Sequence, residues 1–521
     1  MPALIESPGG FLRSRGQLVG RVFATAGLLV AALAGGCSAG SSGPGEAGTG
    51  VDAIVLVVVD ALRADHLGAY GYQARPTSPE IDRWAGRGRL FERAWASSSW
   101  TLPSFGSLLT GRLPSAHAAG AEVAEGAGVD FVVAAARNFV PLPEGMATLP
   151  ELLGAHGFAT GALVSNPFLD PGFGLGRGFE YYDNFPTSNS ELRGATEAVD
   201  QALQWLDANA ARPRFLMLHL FEPHLDYDAP PPHRGAFTAG TAGVGERELP
   251  VRGLWPIRNR IAEMGAPERD FIAAAYDEEI AAVDAAVGRL LAGLEERELL
   301  DRGLVLLTAD HGEELFEHGG FEHGHGMYEE VLRVPLLLWG AGVTAGRETL
   351  PVSLLDVAPT VLAAAGLTSA ELPGVSLLDG ARPEWPAERT IIAERLLYGP
   401  ETKAIVRWPY KVIAGAGGAD GGAEGTAPES GATEGTTTEG TLGRQAGGAN
   451  ASTAGTVALL FDLQADPGER HDLAAARPGL LGELLGALAA RLAEADAHAA
   501  AGAAELDDAL LRRLRALGYI R

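Results

Sequence analysis

The sequence predicts an α/β protein: a largely parallel sheet with helices on both faces. Three observations carry this reading. Apolar, β-branched runs at residues 51–59, 214–220 and 304–308 suit strands buried on both faces. Segments of helical periodicity at 192–210 and 271–299 alternate with them. Each apolar run then stops on polar residues: Asp60, Glu222-Pro223-His224 and Asp310-His311. Open α/β sheets bind ligands outside the carboxyl ends of their strands, so these residues are site candidates from the start.

The amino terminus has its own logic. Arg13, Arg15 and Arg21 precede a mostly apolar run at 22–33, and Ala34-Gly35-Gly36-Cys37 follows. Basic region, apolar region and small-residue cleavage site are the order of a secretory signal, and the run is too short for a comfortable membrane span. LAGGC resembles a bacterial lipoprotein processing site. Residues 1–37 are therefore expected to be a signal peptide. Cys37 would carry a lipid anchor to the membrane, with the protein exported to the cell envelope, in the periplasm or at the outer membrane. A plain cleaved signal with an incidental cysteine is the alternative. Cys37 is the single cysteine, so no internal disulfide framework exists. Residues 38–50, rich in Gly and Ser, read as a flexible tether.

The 521 residues, 46% of them hydrophobic, can bury a large core in more than one domain. The net charge of -26 argues against nucleic acid and anionic membrane surfaces as general partners. An anionic substrate would need a local cation to overcome that field.

After the first strand comes SSSWTLPSFGSLLTGR, residues 97–112. Pro103 suits a first helical turn, so Thr101 is expected at the N-terminus of a buried helix. Unpaired N–H groups and the helix dipole favour an anionic group there. A hydroxyl so placed is a candidate nucleophile for a phosphate or sulfate ester; the bland alternative is a capping threonine. A helix at 147–157 and a strand at 159–164 follow, with Asn166 just beyond. Another strand is expected at 334–339. A strand-like stretch covers 404–414, and residues 415–456, almost wholly Gly, Ala, Thr, Glu and Ser, read as a disordered insertion. A strand at 459–463 and helices at 478–493 and 504–517 complete the chain.

Parallel strand ends converge on one edge, so Asp60, Asp310, His311 and Thr101 could share one divalent cation. That cation would lower the alcohol's pKa and polarise an ester oxygen. Oxygen ligands suit Ca, Mg or Mn, and a histidine also admits Zn. The segment 310–325 holds His311, His318, His323 and His325. The pair His323 and His325 could bind zinc, sit in a surface turn, or hold a substrate oxygen. His224 and His219 could contact substrate or protonate a leaving group, although a satisfied strand histidine is the plain reading of His219.

With these residues in hand, the chain resembles the sulfatase family of the alkaline phosphatase superfamily. VVVDALRADHLGAYGY (57–72), TLPSFGSLLTGR (101–112), TADHGEELFEHG (308–319), HGHGMYEEVLRVPLLL (323–338) and FDLQADPGERHDLA (461–474) carry the likeness. It implies an alkaline phosphatase-like α/β/α sandwich, with a catalytic domain at 51–385. A smaller C-terminal subdomain of sheet plus helix, at 386–521, would carry the insertion. It also implies one divalent cation held by Asp60, Asp310 and His311, with Thr101 as nucleophile and fourth ligand. His224 and His325, or His323 in its place, would contact the substrate's oxyanion or leaving group.

Three departures stand out. Sulfatases carry Cys or Ser at the nucleophile, oxidised to formylglycine, and an Arg four residues on; here the positions hold Thr101 and Phe105. A secondary alcohol cannot give that aldehyde. The second Asp after the first strand is Ala61. A threonine nucleophile resembles instead the superfamily's phosphotransferases and phosphodiesterases. The expected activity is that of a metal-dependent hydrolase or transferase of anionic phosphate or sulfate esters. The alternatives are a sulfuric ester hydrolase without formylglycine and a non-catalytic surface binding lipoprotein.

Overall fold

The computed structural model describes residues 51–121, 139–184, 193–241, 261, 264–380, 385–386, 388–416 and 456–495. The expected signal peptide, tether, helix at 504–517 and nearly all of the insertion lie outside them.

Eight strands form the central sheet: β1 (Ala53–Val59), β2 (Arg89–Phe91), β3 (Ala159–Val164), β4 (Tyr181–Asn184), β5 (Arg214–Leu220), β6 (Gly303–Ala309), β7 (Leu336–Gly340) and β8 (Gly346–Glu348). Their order is β8-β2-β7-β6-β1-β5-β3-β4. Every residue of β1, β5 and β6 is buried, which explains their unbroken apolar sequences. The strand at 334–339 exists as β7 but runs antiparallel to β6. A parallel return needs a crossover to the opposite edge of the sheet. Between Ala309 and Leu336 the only helix is the single turn Glu329–Leu332, so β7 starts at the edge where β6 ends.

Helices gather in two groups. In one, α2 (Ala195–Ala208) packs on the long α3 (Ala266–Glu296). In the other, α1 (Thr101–Thr110), buried at every residue, packs on α4 (Val357–Ala364). No described helix is long and apolar enough to cross a membrane.

The second sheet is antiparallel, in the order β9 (Ile391–Glu394), β10 (Thr402–Arg407), β11 (Tyr410–Ala416), β12 (Thr456–Asp462). Helix α5 (Pro478–Ala495) buries Leu484 and Leu488 against Ile392, Ile405, Val412 and Leu460. The other face of the sheet joins the main core through Ile391, Val406 and Phe461. The stretch at 404–414 is thus a hairpin rather than one strand. It turns at Trp408-Pro409, because Pro409 has no N–H to continue the ladder. The insertion is also narrower than 415–456: Gly415 pairs with Val457 and Ala416 with Thr456. Ladder hydrogen bonds recruit these weakly apolar ends, which the composition could not reveal.

Candidate active site

Three strands deliver the polar groups. β1 and β6 run side by side with Val59 level with Ala309, so the next residues, Asp60 and Asp310, face one another. β5 pairs Leu220 with Val59 and sets His219 beside them. Ala61 takes the left-handed conformation (φ 55°), turning the chain away directly after Asp60. Gly312 passes so close to the chain beyond it that a Cβ would lie 2.1 Å from the Glu330 carbonyl oxygen. Glycine is what allows Gly312 and Glu313 to donate to the Val331 and Glu330 carbonyls at 2.9 Å each, pinning the turn after Asp310-His311.

Both carboxylates are fully buried, and each is half satisfied. Asp60 Oδ2 accepts from Asn166 Nδ2 (2.7 Å) and from His219 Nε2 (3.2 Å). Asp310 Oδ1 accepts from the backbone N–H groups of Ala61 (3.3 Å) and His311 (3.0 Å). The remaining oxygens, Asp60 Oδ1 and Asp310 Oδ2, are buried without a hydrogen-bond donor. They lie 3.6 and 3.2 Å from His311 Nε2. His311 Nδ1 donates to the Gly312 carbonyl at 2.9 Å, so in the neutral ring the Nε2 lone pair turns toward the two oxygens. One ligand atom from each of the three residues falls within 4.8 Å of the others. Orphaned buried carboxylate oxygens facing an imidazole lone pair are a donor set that fits a divalent cation.

Thr101 opens α1, but it is not the cap. The cap position is Trp100, whose side chain makes no capping bond. Thr101 Oγ1 lies 3.3 Å from His311 Nε2 and accepts from Asn166 Nδ2 at 3.4 Å. The hydroxyl is therefore directed into the acidic cluster. Phe105, one turn further along, meets the His219 ring in a T-shaped contact with centroids 5.5 Å apart, walling that histidine with apolar surface.

The remaining histidines separate clearly. His323 packs its ring 4.1 Å from His311 and 5.2 Å from His224. Its Nδ1 lies 3.3 Å from Glu313 Oε1. His224 stacks on Phe221 and donates from Nδ1 to the Leu225 carbonyl at 2.7 Å. His325 is held elsewhere, by Glu314 at 2.7 Å. His318 stacks on Tyr328 and binds Glu330. Of the two positions left open by the spacing, His323 is the one in the cluster and His325 is not. His323 and His325 do not converge as a second metal site; among the described residues the one such group is Asp60, Asp310 and His311.

Burial opposes ionisation of Asp60, but the charges of His224, His219 and His311 and the His219 hydrogen bond outweigh it, holding the carboxyl down at about 2. Burial likewise opposes a charged His311, yet the adjoining carboxylates, Asp310 first and then Asp60, raise it to about 9. In the absence of a cation, a proton on His311 offsets one of the two carboxylate charges.

Sequence reasoning assigned no role to Asn166 or Glu313, and it left His219 open between a substrate contact and a satisfied strand histidine; the structure makes it a partner of Asp60. Asn166 did carry a signal: it stands just past the end of a buried strand, as Asp60 does.

Residues 52–367 match the family model described as Sulfatase. The chain belongs to the sulfatase family. Human arylsulfatase A (Homo sapiens) is 28% identical over 471 residues, spanning 84% of this chain and 86% of that protein. Human N-acetylgalactosamine-6-sulfatase is 28% identical over 361 residues, 63% of this chain and 64% of that protein. Among solved structures, the phosphonate monoester hydrolase of Agrobacterium radiobacter superposes with a TM-score of 0.61 at 18% identity, covering 85% of this chain and 96% of that one. A protein solved in complex with its substrate D-glucosamine-2-N,6-O-disulfate gives 0.62 at 19% identity, covering 86% and 98%. These likenesses establish the alkaline phosphatase-like fold of the sulfatases. By family, this chain is an ester hydrolase.

Proposed function

We propose that this sulfatase-family hydrolase cleaves an anionic ester with the Thr101 hydroxyl as nucleophile, at a site completed by one divalent cation on Asp60, Asp310 and His311. The observation that carries the reading is the direction of Thr101 Oγ1, turned from its own helix end into the cluster and 3.3 Å from His311 Nε2. A cation bound there supplies the charge that lowers the hydroxyl's pKa and polarises the ester oxygen. An electron pair of Thr101 Oγ1 forms the bond to phosphorus or sulfur, and the hydroxyl proton passes to solvent. The bond to the leaving oxygen breaks with its pair, and that oxygen takes a proton from His224 or His323, whose rings stand beside the cluster. Water then releases the acid from Thr101.

Attack at phosphorus is the favoured reading. A plain alcohol, once esterified, is freed only by a second displacement at the central atom, whereas an aldehyde hydrate frees itself by elimination. A sulfate ester as substrate is the second reading, favoured by the relatives' names, both sulfatases. We also read the chain as exported and lipid-anchored at Cys37; failure of a Cys37→Ala variant to lose membrane association would contradict the anchor.

The decisive assay compares wild type with Thr101→Ala on bis(4-nitrophenyl) phosphate, a 4-nitrophenyl phosphonate monoester and 4-nitrophenyl sulfate. Turnover of the preferred ester falls at least about 10³-fold in the variant. Mass spectrometry of the quenched wild type finds the adduct on the Thr101 peptide. Unchanged turnover in Thr101→Ala would refute the nucleophile.

A further inference from the structure

We propose that Asn166 is a further catalytic residue, whose carboxamide holds the Thr101 oxygen for attack and restricts Asp60 to one outward oxygen. The proposal rests on the reading of Thr101 as nucleophile. Asn166 is fully buried and caps the short turn Pro167–Leu169 just beyond β3. Its Oδ1 accepts from the Phe168 N–H at 2.8 Å. That bond fixes the sense of the amide, because only an oxygen can accept there. Nδ2 must then point the other way. It lies 2.7 Å from Asp60 Oδ2 and 3.4 Å from Thr101 Oγ1 and donates to both.

Two consequences follow from this placement. A hydroxyl that accepts from Asn166 has its own hydrogen free to leave. Negative charge gathering on Oγ1 during attack then meets a donor already in position, with no reorganisation. Asp60 Oδ2, taking Nδ2 and His219 Nε2 together, is saturated, so Oδ1 alone is offered to a cation. No other common side chain of this size serves both ends. Aspartate would set a second carboxylate against Asp60 and donate nothing, and serine has one hydrogen and a shorter reach. Asn166 makes and breaks no covalent bond itself; it donates throughout.

The test uses the full chain with Asn166→Ala and Asn166→Asp, assayed on whichever aryl ester of the panel the wild type turns over fastest. kcat falls about 10²-fold in both, while KM stays within about threefold, because the donor acts on charge that develops only during attack. Single-turnover formation of the Thr101 adduct slows by the same factor. Asn166→Asp retains an acceptor for the Phe168 N–H, so it keeps the turn if the alanine variant does not fold. A second readout needs no turnover: Mn²⁺ alone, titrated by calorimetry, binds Asn166→Asp about tenfold more tightly than wild type, since a carboxylate now faces the cluster. Asn166 variants within about threefold of wild-type kcat, or a Mn²⁺ affinity unchanged in Asn166→Asp, overturn the proposal. Thr101→Ala separates the two readings. If it loses turnover while the Asn166 variants keep theirs, only this inference fails; if it keeps turnover, the nucleophile fails.

Discussion

Among the buried charge clusters of the described residues, two are completed in different ways. Where the second sheet meets the main core, the ammonium of Lys411 on β11 lies 3.0 Å from Glu329 and 2.9 Å from Glu469. Glu329 also accepts from Trp95 Nε1 (2.8 Å), and its backbone N–H donates to Glu469 (2.6 Å). Glu469 Oε1 makes no hydrogen bond but has the ammonium beside it, whereas at the rim of the central sheet the donor-free oxygens of Asp60 and Asp310 face only the imidazole of His311. The first cluster carries its own cation on the chain and fastens one sheet to the other. The second is open to a cation from outside. Burying charge is costly in both places, so two buried carboxylates and an imidazole grouped within 4.8 Å, with no lysine or arginine paired to them among the described residues, point to a further role.

The largest effect expected is on the open cluster. Asp310→Asn places an N–H where the donor-free oxygen stood. Turnover falls at least about 10³-fold, roughly 4 kcal/mol in barrier, while the cation-free protein unfolds no sooner than wild type. Loss of cation-free stability in calorimetry would mean that the carboxylate is structural after all. Lys411→Met makes the opposite change, stranding two buried carboxylates. It costs about 3 kcal/mol, the low end for a broken buried pair, because Trp95 and the Glu329 N–H remain as donors. Denaturant titration measures this, and added cation should not restore the difference.

Cation binding itself gives a third contrast. At about 100 times the dissociation constant it stabilises wild type by about 2.7 kcal/mol and Asp310→Asn by nothing measurable. The pH dependence has a definite sign. His311, raised to about 9, must release its proton before its Nε2 can hold a cation. Affinity therefore weakens as pH falls below that value, approaching tenfold per unit, about 1.4 kcal/mol. Calorimetry in buffers of different ionisation enthalpy should register close to one proton released at pH 7; none would sink this account. The smallest contrast lies within the histidines. His323→Ala lowers kcat about 10²-fold, whereas His325→Ala, whose ring is already engaged by Glu314, changes it by less than about threefold. Equal effects would blur the distinction drawn from their packing.

Much of this site was legible because its residues occupy strand ends and a helix start. β5 lies at the expected 214–220, and Asp60, Thr101, Asp310 and His311 converge as their positions implied. The direction of β7 was hidden, since an apolar run has the same pattern in either sense. The turn at Pro409 was hidden too, because the apolar residues on its two sides read as one run. Asn166 and Glu313 escaped for another reason. Their meaning lies in pairings with Asp60, Thr101 and His323 made across the fold, and no local spacing records those.

Metal analysis reaches the central claim most directly. After equilibration with Ca²⁺, Mg²⁺, Mn²⁺ or Zn²⁺ and removal of free ion, wild type should retain one divalent cation per chain, and an Asp60→Asn/Asp310→Asn double variant none. A wild type that retains no cation from any of the four, or a double variant that retains its full complement, would contradict the account.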